Sequence, residues 1–330
     1  MISKVGILIV MLSSDGHWFG GSTETIFLQW AIMHGAPDVR VEWVLAAGRV
    51  AVAKGRVDLR GDAADGRASA ADSPAGSAVA KVPVPKVRVP TGMVLRYRAA
   101  EPGGRLIEEG QAAVWVYPRN LLDSAAVRLR GRELYVWDEP AGLPDVFQKT
   151  NIRCTSFQDP QKLQFVRPDI LIAAAGQVAR RPDGAAKLIN LAAAGTGVLV
   201  LRQADSPSLA GYPLVPRKSP LKLALLDDHP LLRHLGQWKM SSAETSWALQ
   251  LPADDPVLPI AWWPGEFPAQ PAKAVDALLA SKTLGQGRIV FCQFPLGPWQ
   301  SDPRSQLFLD DALDYLMSPV APTPPLAANR

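Results

Sequence analysis

The chain has 330 residues, 48% of them hydrophobic and 20% charged, with a formal net charge of +4. That length suits two domains of ordinary size, and that apolar content excludes a globally disordered chain. Lys and Arg are scattered rather than clustered, which argues against a nucleic-acid partner, and no apolar run is long enough for a transmembrane helix, so no integral membrane segment is expected.

The chain begins "MISKVGILIVML". A single Lys before a short apolar run mimics a signal peptide, but the run is brief and no small-x-small cleavage site follows it. A first β-strand is the preferred reading, and localisation stays open between cytoplasmic and exported. Apolar runs then recur between turn residues at Val5–Leu12, Thr23–Met33, Val39–Ala46, Val50–Leu59, Val82–Val89, Met93–Ala99 and Leu106–Tyr117. Several alternate with period two. Val39, Val41, Trp43 and Leu45 face one way while Arg40 and Glu42 face the other, and Ala112, Val114 and Val116 oppose Ala113, Trp115 and Tyr117. Residues 1–118 therefore read as an all-β, immunoglobulin-like sandwich. Arg60 to Ala80 is small, polar and rich in Gly, Ala and Ser, and reads as a flexible loop in which "RGD" is a chance tripeptide.

Residues 119–131 read as a linker, after which the pattern changes. "RELYVWD", "IRCTSF", "PDILIAAAG" and "GVLVLRQ" are strands, and "EPAGLPDVFQKTN" is a short helix or turn. Ala185, Leu188, Ile189, Ala192 and Ala193 share a helix face, and Gly195 can end that helix. "GQGRIVFCQFPLG" is a late strand, followed by a helix capped by Ser301 or Asp302 with Pro303 in its first turn. Nearly continuous apolar strands alternating with helices predict a parallel sheet covered on both faces over 132–318, of α/β flavodoxin-like class. The Pro-rich tail, 319–330, is expected to be disordered.

At this point the residues resemble a known family. "GQGRIVFCQFPLGPWQSDPRSQLFLDDALDYL" is similar to the closing strand and helix of class I glutamine-amidotransferase-like domains attached to some glycoside hydrolases, and "HPLLRHLG" resembles their "HPLLxGL" segment. "HWFGGSTETIFLQWAIMHG" and "EWVLAAGRVAVAKGRVDL" resemble strands of the immunoglobulin-like sandwich in glycoside hydrolase family 2 proteins. The resemblance implies a C-terminal accessory region of a larger glycosidase, with the sugar-cleaving barrel upstream. Eight strand–helix units and paired catalytic carboxylates have no carrier in this chain.

Active amidotransferases need a Cys at the strand-to-helix elbow with downstream His and Glu. After Val198–Leu201 the chain offers Arg202, Gln203, Ala204 and Asp205 instead, and no catalytic residue is assigned. Ser206 and Ser208 do not meet the nucleophile-elbow pattern, and Pro207 opposes a helix start there. Cys154 and Cys292 are expected to lie inside strands as packed thiols. His229 and His234 are expected in surface or capping roles, with Asp227 and Asp228 as caps. No metal or cofactor is expected. Trp238, Trp247, Trp262, Trp263 and Trp299 fall in segments read as loops or short elements; of these Trp262, Trp263 and Trp299, with Glu266, are candidate carbohydrate contacts, weighed against a simple packing role. The expected function is a non-catalytic accessory segment that supports or oligomerises a glycosidase, or contacts carbohydrate. The alternative is an autonomous hydrolase with a site at the C-terminal edge of the α/β sheet.

Overall fold

The computed structural model describes residues 6–32, 38–59, 76–138, 142–179, 181–204, 206–218, 223–234, 245–252, 255–263 and 274–319. The structure is mostly β, with few helices. It divides into two compact units, one of Met1–Leu121 with Gln300–Pro303 and one of Leu122–Trp299 with Arg304–Arg330.

The first unit contains β1 (Gly6–Leu12), β2 (His17–Phe19), β3 (Thr23–Ile32), β4 (Val39–Ala47), β5 (Val50–Leu59), β6 (Gly76–Pro83), β7 (Thr91–Ala100) and β8 (Leu106–Tyr117). They form a sheet of order β1-β3-β6 and a sheet of order β2-β8-β7-β4-β5. Ile26, Leu28, Ala80 and Val82 of the first meet Val39, Val41, Leu45, Leu95, Val114 and Val116 of the second in one core, which makes a sandwich. Alternation in β4 is as the sequence predicts, with Val39, Val41, Trp43 and Leu45 buried. Two inward aromatics lie over glycines on the neighbouring strand. Trp43 covers Gly55, and Tyr97 covers Gly110, so a Cβ at either glycine would stand inside the ring.

Two sequence expectations need correction here. The strand expected at Val82–Val89 lies at Gly76–Pro83, so the expected loop to Ala80 is shorter than predicted; "RGD" falls outside the described residues. The register explains the shift. Glu24 pairs with Val82 and Trp30 with Gly76, so β3 recruits the small residues that composition alone assigns to a loop.

The second unit begins with a helix where a linker is expected. In α1 (Asp123–Arg128), Ala125 is buried, and Leu122 and Leu129 flank it in the core. Then follow β9 (Leu134–Trp137), α2 (Leu143–Lys149), β10 (Thr155–Phe157), β11 (Ile170–Ala173), α3 (Pro182–Ala193), β12 (Gly197–Val200), β13 (Ser208–Leu209), β14 (Tyr212–Lys218), β15 (Ala224–Leu225), β16 (Thr245–Pro252), β17 (Leu258–Trp262), β18 (Ala274–Leu284), β19 (Gly287–Cys292) and α4 (Pro303–Met317).

One sheet carries all the described strands of this unit. Neighbours in the order β10-β9-β11-β12-β19 run parallel. From β19 the sheet continues antiparallel through β18, β16, β14 and β13, with β17 and β15 branching from β18. The parallel sheet expected from the sequence is thus corrected to a mixed one, and the segments around Trp247 and Trp262, expected as loops or short elements, are strands β16 and β17. Over the parallel part the cover is two-sided. Leu199, Leu201, Val290 and Cys292 pack with α1, α2 and α4 on one face, while Val198, Val200, Ile289 and Phe291 pack with α3 on the other. That burial on both faces is why β11 and β12 read as unbroken apolar runs and β19 as one interrupted only by Arg288. Helix α3 ends as predicted at Gly195, whose φ is +109. Gly195 N donates to Ala192 O and Thr196 N to Leu191 O, the paired bonds of a Schellman cap.

Candidate functional site

The carboxyl ends of β9, β11, β12 and β19 come together, which is where open α/β sheets hold ligands. Among the described residues there, Asp138 and Gln203 bind the chain's own backbone. Asp138, just past β9, accepts from Leu143 N at 2.9 Å and so holds the first turn of α2. Gln203 is fully buried beyond β12. Its Oε1 accepts from Val178 N at 2.9 Å and Ala179 N at 3.0 Å, while its Nε2 donates to Ala174 O and Leu201 O. Its backbone N donates to Oε1 of Gln293, also fully buried, at 3.0 Å. Among the described residues no helix directly follows β12, so the strand-to-helix elbow expected there is not formed; the position instead holds an amide that knits the loop after β11 to the ends of β12 and β19. Neighbouring Arg202 is half-buried, and its carbonyl accepts from Gly176 N. Asp205 lies outside the described residues, and Ser206 Oγ turns back to donate to Ser208 O at 2.8 Å.

Neither thiol is set up for catalysis. Cys292 lies in β19, and burial pushes its thiol up to about 12. Cys154 stands just before β10 rather than within a strand, is half-buried, and is also pushed up by burial. Both cysteines are free.

The structure separates the tryptophans that the sequence puts side by side. Trp262 ends β17 and packs against the core on the α3 face, whereas Trp263 packs against the core on the opposite, α4 face. Successive residues of an extended chain point to opposite faces, so the pair cannot form one flat platform. Trp299 packs, half-buried, on the same core as Trp263. Trp247 is in β16 and packs against the other core. Glu266 and Trp238 lie outside the described residues.

Two polar clusters escape sequence reasoning. The Tyr212 hydroxyl accepts from Lys282 Nζ at 2.8 Å and donates to Asp255 at 3.0 Å, tying β14 to β18 and to the turn before β17. Burial raises Tyr212 above its ordinary value, with Asp255 adding to the rise. The other cluster is centred on α4. The Asp311 side chain is 0% exposed, and its Oδ2 lies 2.8 Å from His234 Nδ1. That hydrogen bond lifts His234 above its ordinary value. Arg233 approaches Asp311 at 3.7 Å, and Asp310 takes Arg128 at 2.7 Å. A buried carboxylate hydrogen-bonded to an exposed imidazole shares the geometry of the base and its orienter in hydrolytic triads. His229, five positions earlier, serves as a cap. Its Nδ1 accepts from Leu231 N at 3.2 Å, so the capping expected of Asp227 or Asp228 belongs to the histidine. Its ring packs on Tyr315 with centroids 5.0 Å apart, and Arg288 covers that ring at 4.2 Å. Burial first, and the Arg288 charge second, lower His229 to about 4.

Among the described residues no group of three or more His, Cys, Asp or Glu is placed to hold a metal ion. Among them, too, no helix is long and apolar enough to cross a membrane.

No protein-family model matches the chain, and no curated protein matches its sequence. Solved structures give partial likenesses. A Niemann-Pick type C2 protein from the Japanese carpenter ant is 11% identical over 34% of this chain and 92% of its own, with a TM-score of 0.23. A CARDB domain from Pyrococcus furiosus is 10% identical over 35% of this chain and 88% of its own, with a TM-score of 0.23. A family 76 glycoside hydrolase from a bovine Bacteroides thetaiotaomicron strain is 11% identical over 40% of this chain and 26% of its own, with a TM-score of 0.23. Superposition at this level identifies neither a fold family nor an activity.

Proposed function

We propose that the chain is a non-catalytic accessory segment of a glycoside hydrolase family 2-like protein, built from an immunoglobulin-like sandwich and a flavodoxin-like, amidotransferase-type domain without its nucleophile. In this reading it buttresses or oligomerises a glycosidase, and it offers surface to carbohydrate. The observation that carries the proposal is Gln203. At the strand end where acyl-transfer chemistry needs a projecting thiol, this chain has a fully buried amide committed to backbone hydrogen bonds. The sequence resemblance supplies the glycosidase context.

The test is purification of tagged full-length chain from its native cells, with mass spectrometry of what co-elutes and assays of the eluate against glutamine and aryl glycosides. A co-eluting glycosidase barrel, with no turnover by the isolated chain, supports the proposal. A chain that elutes alone and hydrolyses glutamine or an aryl glycoside overturns it.

A second reading, an autonomous hydrolase, draws on the His234–Asp311 pair. Aryl ester hydrolysis by the purified chain, abolished by His234→Ala and reduced by Asp311→Asn, would favour it over the accessory role.

A further inference from the structure

The outer face of the β2-β8-β7-β4-β5 sheet carries an aromatic that neither core uses. Strand β8 alternates, with Val114 and Val116 buried inward and Ala113 and Trp115 exposed outward. Trp115 pairs with Gly92 of β7, and three carbons of its six-membered ring lie 3.7–3.9 Å from where a Gly92 Cβ would stand. The ring thus lies across a glycine, and it remains 38% exposed. On its other side is His17 of β2, whose ring stacks on Tyr117 and whose Nδ1 is 3.1 Å from the Tyr117 hydroxyl.

Register fixes what else shares this face. One outward step along β8 puts exposed Ala113 opposite half-buried Val94, and the next puts exposed Gln111 opposite exposed Arg96. At about 3.4 Å per residue these rows stand about 7 and about 14 Å from Trp115. A shallow row of small side chains therefore separates a flat ring from a guanidinium and a carboxamide. The carboxylates Glu109 and Glu42 lie one row further on, opposite Arg98. One ring beside a single row of small side chains, with charged and polar rows beyond it, is a poor anchor for a protein, which would need a broader apolar core at its interface. It suits a sugar, whose C–H face stacks on an aromatic while its rim seeks hydrogen-bond donors and acceptors.

We propose that this face binds a short oligosaccharide of pyranose sugars, one ring stacked on Trp115 and the oxygens of a further ring reached by Gln111 and Arg96. The proposal rests on the accessory-segment reading and deepens it by naming the ligand class and the surface. It places the carbohydrate contact on the first unit rather than at Trp262, Trp263 and Trp299.

The test uses the full chain with cellohexaose, mannohexaose and trigalacturonate, by isothermal titration and by the indole NMR signal of Trp115, assigned through Trp115→Phe. At least one of the three should bind with a shift of that signal. Trp115→Ala should weaken binding about tenfold or more, the loss of one aromatic contact. Trp115→Phe should retain most of the affinity, and Arg96→Ala with Gln111→Ala should weaken it several-fold without touching the ring. If Trp115→Ala fails to fold, the Arg96/Gln111 variant and the indole signal carry the test. Absence of binding by all three at millimolar concentration overturns the inference, as does unchanged affinity in the Trp115 or Arg96/Gln111 variants. Failure here with a glycosidase still co-eluting leaves the accessory reading standing, and sugar binding by a chain that itself hydrolyses glycosides sinks only that reading.

Discussion

Replacing Gln203 by Ala should lower the stability of the second unit by about 3–5 kcal/mol. The figure follows from the bonds that would be lost. Val178 N and Ala179 N both donate to Oε1, and the Val178 bond is buried. An orphaned buried amide costs about 1–3 kcal/mol, a partly buried one less, and the cavity left by the removed atoms adds about 1 kcal/mol. Gln203→Glu refines the test. A carboxylate keeps both amide donors but turns an oxygen towards Ala174 O and Leu201 O, where Nε2 now donates. That pairing and full burial favour the protonated acid, so the folded-state pKa of this Glu rises above its unfolded value. The unfolded chain then releases its proton first, and the variant loses stability relative to wild type as pH climbs above about 4.3. Urea unfolding followed by circular dichroism at several pH values reads both effects, and hydrogen exchange at the Val178 and Ala179 amides localises them. A Gln203→Ala loss below about 1 kcal/mol, with exchange at those amides unchanged, would refute the reasoning.

Other outcomes follow from the packing and the charges. Gly55→Val and Gly110→Val should each destabilise the sandwich by about 1–3 kcal/mol, because the new side chain meets Trp43 or Tyr97; thermal unfolding of the full chain checks this. Asp311→Asn should return the raised His234 pKa towards its ordinary value, read by NMR titration of the ring. In wild type the His234 contribution is present below about pH 6.5 and lost as pH rises through the elevated folded value, and Asp311→Asn should remove that alkaline slope. His229 works in the opposite sense: its folded value is depressed to about 4, so the unfolded chain takes the proton first and stability falls as pH drops from about 6.5. The full shift corresponds to about 3 kcal/mol, and partial solvent exposure of the ring reduces the expected loss to about 1–2 kcal/mol; His229→Gln should flatten that acid limb.

What the sequence discloses is whatever has a local signature. The alternation of β4, the α3 stop at Gly195 and the apolar runs of β11, β12 and β19 each show their period or cap within a few residues. What it hides depends on distant pairing. Strand β6 is drawn from an Ala/Gly/Ser stretch because β3 supplies its partners, and β14, β16 and β18 pair antiparallel across long separations. Within the candidate site, the absence of a thiol or hydroxyl at Arg202 and Gln203 is plain in the sequence, but the amide network is not. Gln293 stands 90 residues from Gln203, just as Asp311 stands 77 from His234. Trp262 and Trp263 are neighbours in sequence but pack on opposite faces of an extended chain, which only the structure shows.

The same geometry says why a single substitution should not create a working nucleophile just past β12. A nucleophile needs its atom to project into the crevice between strand ends, beside a base and a thiolate-stabilising charge. Gln203 instead points back into the protein at 0% exposure, ringed by Ala174 O, Leu201 O and the Val178 and Ala179 amides. Gln203→Cys would place a shorter thiol in that buried site with no imidazole described beside it. Burial disfavours the thiolate, as it does for Cys292, which it pushes up to about 12. In a Cys154→Ser background the introduced thiol should therefore resist iodoacetamide and a chromogenic disulfide under native conditions, reacting only on unfolding. Rapid native labelling, with the fold intact by circular dichroism, would mean that the crevice opens at β12 and would refute the account of this edge as closed by its own backbone.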